Sequence, residues 1–228
     1  MMRCPWVPFR TLAFAATCFL GVFTGAALAQ STTNESVNAR LLVSARTGDD
    51  AGVERALKDG AAIDSRNRLG ESALLVALKR GQWAMARRLV EAGANVNQAA
   101  VNGITPLMAA AYAGSDELAG LLLERGADPA PVDRIHKTAM IYAAGEGHTA
   151  IVRRLLARGV EVDHRYDNDL TALMWAAGYG KTDTVTALLD AGADPAKRDN
   201  RGKTAADIAR EGKFDETVRA IDARAKRG

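Results

Sequence analysis

The sequence predicts an all-α solenoid of stacked helix pairs, and three regularities carry the prediction. Gly60, Gly93, Gly126, Gly159 and Gly192 recur at a 33-residue step, and Gly48, Gly81, Gly114, Gly147 and Gly180 keep the same step. Ser or Thr opens each unit, and a leucine-rich stretch closes it. A fixed period of this length belongs to a stacked array and not to a single globular core. Each unit of such an array touches only its neighbours, so the product is a long surface rather than a deep pocket.

Residues 1–29 stand outside the rhythm. Arg3 and Arg10 give a basic start, Thr11 to Ala29 carries no charge, and the segment ends in Ala27-Leu28-Ala29. This is the pattern of a secretory signal cut between Ala29 and Gln30, and it places the mature chain in the periplasm or outside the cell. A spanning helix needs roughly 20 apolar residues, so an uncleaved membrane anchor is the alternative; Gly21, Gly25 and the small-residue end favour cleavage. Both cysteines, Cys4 and Cys18, lie in this segment. The mature chain therefore has no disulfide, thiolate metal site or cysteine nucleophile. Removing Arg3 and Arg10 from 30 basic residues leaves 28 against 27 acidic ones. That near balance argues against a nucleic-acid partner.

Residues 30–37 read as a polar linker, residues 38–222 as the array and residues 223–228 as a basic tail. Within the array the helix starts are Ser72-Ala73-Leu74, Thr105-Pro106-Leu107, Thr138-Ala139-Met140, Thr171-Ala172-Leu173 and Thr204-Ala205-Ala206. Ser and Thr oxygens accept from free amides of a first turn, and Pro106 sits where its missing N–H costs nothing. Ala109-Ala110, Ala143-Ala144 and Ala176-Ala177 let neighbouring first helices approach closely. Leu89-Val90, Leu122-Leu123, Leu155-Leu156 and Leu188-Leu189 fill the seams from the second helix. One glycine series separates the two helices of a pair. The other ends the second helix, where a left-handed residue is normal.

Thr105-Pro106-Leu107-Met108-Ala109-Ala110 followed by Gly114, Leu122-Leu123 and Gly126-Ala127-Asp128 resembles an ankyrin repeat. So does Thr171-Ala172-Leu173-Met174-Trp175-Ala176-Ala177 with Leu188-Leu189 and Gly192-Ala193-Asp194. The resemblance implies an ankyrin-repeat solenoid: each unit a β-turn finger followed by an antiparallel helix pair. About six units fit, with degenerate units at both ends, as array ends must face water. The usual histidine after the helix start is replaced by Leu75, Met108, Ile141 and Met174. The finger glycine is present as Gly70, Gly103 and Gly202 but becomes His136 and Asp169. The two central fingers are thus expected to differ in shape, by neutral substitution. In the last unit the separating glycine, Gly212, falls one residue early.

Catalytic signatures are missing. There is no Gly-x-Ser-x-Gly and no His-Glu-x-x-His. Gly180-Lys181-Thr182 and Gly202-Lys203-Thr204 lack the upstream glycine of a phosphate-binding loop. Zinc needs three or four converging ligands; His136 and His164 fall on successive fingers, and His148 follows a separating glycine, where it reads as structural. Asp163, Asp167 and Asp169 lack the glycine and distal glutamate of a calcium hand. No enzyme activity, cofactor or metal is expected.

The resemblance implies a groove along the first helices, beside the fingers. Residues four apart share a helix face, which aligns Tyr142 with Glu146 and Trp175 with Tyr179, with Tyr112 nearby. Tyr and Trp are frequent interface anchors. Tyr112, Tyr142, Trp175 and Tyr179 are therefore the expected partner-binding residues, with Arg134, Ile135 and His136 on a finger. Trp175 could equally fill a seam. The expected function is a monomeric, non-enzymatic module that holds a protein partner. A membrane-anchored array, or a small-ligand carrier or enzyme, is the alternative.

Overall fold

A computed structural model describes residues 36–225. The signal and its cut after Ala29, both cysteines, residues 30–35 of the linker and residues 226–228 of the tail lie outside the described residues. Six units follow one another. The first is α1 (36–47) and α2 (Asp50–Lys58). The next four pair α3 (Ala73–Lys79) with α4 (Trp83–Glu91), α5 (Pro106–Ala113) with α6 (Asp116–Glu124), α7 (Ala139–Glu146) with α8 (Thr149–Ala157), and α9 (Ala172–Gly178) with α10 (Thr182–Asp190). The sixth is α11 (Ala205–Glu211) and α12 (Asp215–Ala225).

Helix starts obey the expected chemistry. Ser72, Thr105, Thr138 and Thr171 each accept the backbone N–H three residues on, at 3.2–3.4 Å. Thr204 goes further, exchanging bonds with Asp207 in a capping box; both donors of the first turn are satisfied reciprocally. These helices run only seven or eight residues, too short to persist alone. Packing holds them. The first helices stack α3 on α5, α5 on α7, α7 on α9 and α9 on α11, and the second helices form a parallel layer. Ala110, Ala143, Ala144, Ala176 and Ala177 are fully buried in the first layer, and Leu89, Leu122, Leu155 and Leu188 sit between the layers. One continuous core results.

Links between units repeat with the period. Arg125 donates to the Val90 carbonyl at 3.1 Å and Arg158 to that of Leu123 at 2.5 Å. Each thereby adds a side-chain donor to a carbonyl that already closes the final turn of the preceding second helix, Val90 with the Gly93 amide and Leu123 with that of Gly126. Gly114 shows why a glycine must separate a pair. Its φ is +75°, and an added Cβ would lie 2.4 Å from the His148 ring. That ring fills the gap, and its Nε2 bonds the Tyr112 carbonyl at 3.1 Å, so His148 is structural as expected.

Three boundaries differ from the sequence reading. Residues 36 and 37 are already helical, and Val37 is 4% exposed, so the linker ends before them. Residues 223–225 belong to α12 rather than to a tail. Gly212 is not the separator of the last pair: its φ is −75°, and Lys213, 33 residues after Gly180, takes the left-handed position at φ +60°.

Candidate functional site

The first helices turn one face toward the fingers, and on it the four expected aromatics come together in two pairs. Tyr112 and Tyr142 meet edge to face with ring centres 5.7 Å apart. Trp175 and Tyr179 stack at 6.2 Å with planes 10° apart. Tyr112 and Tyr179 are more than half exposed, at 59% and 54%; Tyr142 and Trp175 are half-buried beneath them. Large aromatic surface left in water on a packed face is unusual in a monomer and marks interaction sites. The buried Trp175 Nε1 has no hydrogen-bond partner.

A cation joins the two pairs. Lys137 Nζ lies 4.8 Å from the Trp175 ring centre and 5.5 Å from that of Tyr142. The ring faces attract it. The repeat explains why no carboxylate does. In the outer units the residue at this position pairs with the one eight further on: Glu71 accepts from Lys79 at 2.5 Å, and Lys203 pairs with Glu211. Eight residues after Lys137 stands Gly145, so the cation turns to the rings. Sequence reasoning missed Lys137; aligning the units at 33 residues would have shown it.

Asp133 anchors the assembly from below. Its Oδ1 accepts the amides of Ile135 at 3.0 Å and Lys137 at 2.9 Å, and its Oδ2 accepts the Tyr142 hydroxyl at 2.5 Å. Burial, with this carboxylate beside it, pushes the Tyr142 phenol above its ordinary range. Asn67 and Asp199 hold their fingers in the same way. Burial alone would raise the Glu71 carboxyl, but bonds from Lys79 and Asn67 and the charges of Lys79 and Arg80 hold it below its usual value. Asp199 is likewise depressed: burial opposes, and the Lys203 amide with the Arg201 amide and guanidinium prevail.

The finger candidates divide. Ile135 is 64% exposed and Val101 65%, with nothing apolar to cover them. Arg134 is engaged backward, its amide donating to the Asn102 carbonyl at 2.9 Å. His136 is engaged forward, its Nδ1 2.7 Å from Asp167 Oδ2. His136 and Asp169 both occupy the left-handed region, at φ +57° and +59°, as does Asn168 at +59°. The fifth finger, Asp167–Asp169, accordingly turns through two successive left-handed residues, closed by the Leu170 amide on the Asp167 carbonyl at 3.3 Å. Only the fifth finger departs in shape, against the expectation for both central ones: His136 takes the glycine's left-handed φ, and its amide donates to the Asp133 carbonyl as those of Gly70, Gly103 and Gly202 do to Asn67, Ala100 and Asp199.

Beside the first aromatic pair lies an apolar cavity of about 470 Å³, walled by Trp83, Ile104, Met108, Tyr112 and Tyr142. Trp83, 39% exposed at the start of α4, was not placed on this face by helical spacing, because it belongs to the second helix. Among the described residues no group of three or more His, Cys, Asp or Glu converges on a point where a metal ion would sit. Nor is any described helix long and apolar enough to cross a membrane.

Comparison with known proteins agrees with this architecture. Residues 41–133 and 131–199 match the family model described as ankyrin repeats (3 copies). No curated protein matches the chain.

Proposed function

Since the chain belongs to the ankyrin-repeat family, whose members are generally protein–protein interaction modules, we propose that it is an exported, non-enzymatic module that grips one protein partner in the groove beside its fingers. The observation that carries this reading is the aromatic row. Tyr112 and Tyr179 stand exposed on half-buried Tyr142 and Trp175, with Lys137 between the pairs. Such rings are pre-organised by the packing below them, so ordering them on binding costs little. Ile135 and Val101 extend the contact along the fingers. Fold alone does not fix function, and the reading rests on these side chains. Export rests on the charge-free run from Thr11 to Ala29 with its small-residue end.

A pull-down comparing wild type with the Tyr112→Ala, Tyr179→Ala variant tests the groove. One discrete protein recovered by wild type and lost by the variant supports it; equal recovery moves the site elsewhere. N-terminal sequencing of the exported protein tests the signal. A start at Gln30 supports cleavage, and a start at Met1 in the membrane fraction supports the tethered alternative.

A further inference from the structure

The N-terminal end of the groove holds a second opening, of about 1110 Å³, between α1, the finger of the second unit and α3. Arg46, Arg66, Arg68, Lys79 and Arg80 line it, against Asp64 and Glu71. Both carboxylates are already committed. Asp64 Oδ1 accepts the Asn95 amide at 2.8 Å, and Glu71 takes Lys79 at 2.5 Å and Asn67 at 2.8 Å. The four arginines are exposed. Among the described residues none of them has a carboxylate within ion-pair distance. Elsewhere on the surface arginine usually finds one: Arg40, Arg55, Arg87, Arg88, Arg154 and Arg210 all do. Among the described residues Arg125, Arg134, Arg153, Arg158, Arg198 and Arg219 also lack a carboxylate partner, but none of them lines this opening, whereas these four share it.

This opening adjoins the apolar cavity of the aromatic face, since Lys79 lines both. The track therefore runs from four unpaired guanidinium groups into a hollow walled by Trp83, Met108, Tyr112 and Tyr142. Its sign then reverses: Glu146 occupies in the fourth unit the position that Arg80 holds in the second. Guanidinium groups bind carboxylates through paired, parallel hydrogen bonds, and like charges crowded at one opening favour a ligand that neutralises them. A neutral or basic segment would leave them unpaired.

We propose that the partner docks through an acidic segment in which Asp or Glu residues flank one large apolar side chain. The acids lie over Arg46, Arg66, Arg68 and Arg80, and the apolar side chain fills the Trp83–Tyr112–Tyr142 hollow. This rests on the groove reading above and gives it a chemistry and a direction, with the acidic end toward the second unit.

The test selects a randomised dodecapeptide phage library on immobilised wild-type protein and on the Arg66→Glu, Arg80→Glu variant. Wild type should enrich Asp or Glu next to Trp, Phe or Leu; the variant should enrich Lys or Arg in their place. A synthetic peptide from the wild-type pool should bind the variant at least about tenfold more weakly, as expected when charge-assisted hydrogen bonds are lost. The Arg66→Gln, Arg80→Gln variant should fall between, and circular dichroism melts should match wild type for both. Apolar peptides without acids, or acids enriched equally on both proteins, overturn the acidic partner and leave the groove standing. Failure of wild type to enrich any peptide overturns both.

Discussion

The seam between the fourth and fifth units is built differently from the seams on either side. At the others, each finger donates a backbone bond to the one before it: Val101 to Leu69, Arg134 to Asn102 and Asn200 to Asn168, all at 2.9 Å. Each connector also donates to an acceptor one unit back: Asn95 to Asp64, Asp128 to Asn97 and Asp194 to Asp163. Between the fourth and fifth units neither bond is made. The finger bond would run from Asp167 to the Ile135 carbonyl. The connector bond would need an acceptor at 130, where the chain has alanine. The helical layers continue unbroken, with α7 packed on α9 and Thr149 bonded to Thr184 at 2.8 Å.

Side chains replace the missing ladder. His136 meets Asp167, and Lys137 of one unit lies over Trp175 of the next. Exposed ion pairs contribute little, so the fingers here are tied by weaker and more easily rearranged contacts. The same seam carries both left-handed non-glycine finger turns and divides the two aromatic pairs. The helices and the fingers thus solve separate problems: packing alone holds the helical layer, while the finger layer depends on individual polar residues that can be lost one seam at a time.

Substitutions at four positions and one pH series probe that contrast. Asp133→Ala should have the largest effect. It strands two amides and the Tyr142 hydroxyl, and should cost roughly 2–3 kcal/mol in urea unfolding, while Asp133→Asn keeps the Oδ1 acceptor and costs less. Acid should act next, on the outer fingers. Glu71 and Asp199 have folded-state pKa values below the ordinary 4.5 and 3.8. Their contribution is therefore complete above those values and is lost as the pH falls through the depressed ones. Protection of the Arg201 and Lys203 amides, which donate to the Asp199 carboxylate, should fall as the pH drops below the ordinary carboxylate range of about 4, more than at the fifth finger, where Tyr166 stands in the carboxylate's place.

Lys213→Gly should raise stability by about 1 kcal/mol, because glycine carries no penalty in the left-handed region. Ala130→Asn should restore the connector bond to the Glu161 amide and add roughly 0.5–1 kcal/mol; no gain would mean that the seam is held apart by something other than the missing acceptor. His136→Gly should be nearly neutral. It relieves a strained φ but removes the Asp167 partner, and the two effects oppose each other within about 1 kcal/mol. The melting temperature reads all three.

The helices were legible in the sequence because every signal for them is local and repeated five times: a Ser or Thr cap, small residues, leucines, a glycine. The exposed aromatics followed from helical spacing for the same reason. What escaped depends on comparing units with one another. Ala130 is unremarkable until it stands beside Asp64, Asn97 and Asp163 at the same step. Lys137 looks like any surface lysine until Gly145 is seen where its outer counterparts find a partner. Trp83 and the arginine-lined opening join elements of different units, and no single period contains them. Gly212 misled because a glycine beside the expected position draws the eye from Lys213, which takes the turn.

The proposed partner sits on the finger-side face of the first helices. Photo-crosslinking amino acids placed singly at Tyr112, Tyr179 and, on the exposed side of α8, Arg153 test that most directly in the producing cell. Adducts of one discrete mass from positions 112 and 179, with none from 153, are the expected result. An adduct from 153 alone, or equal adducts from all three positions, would contradict it.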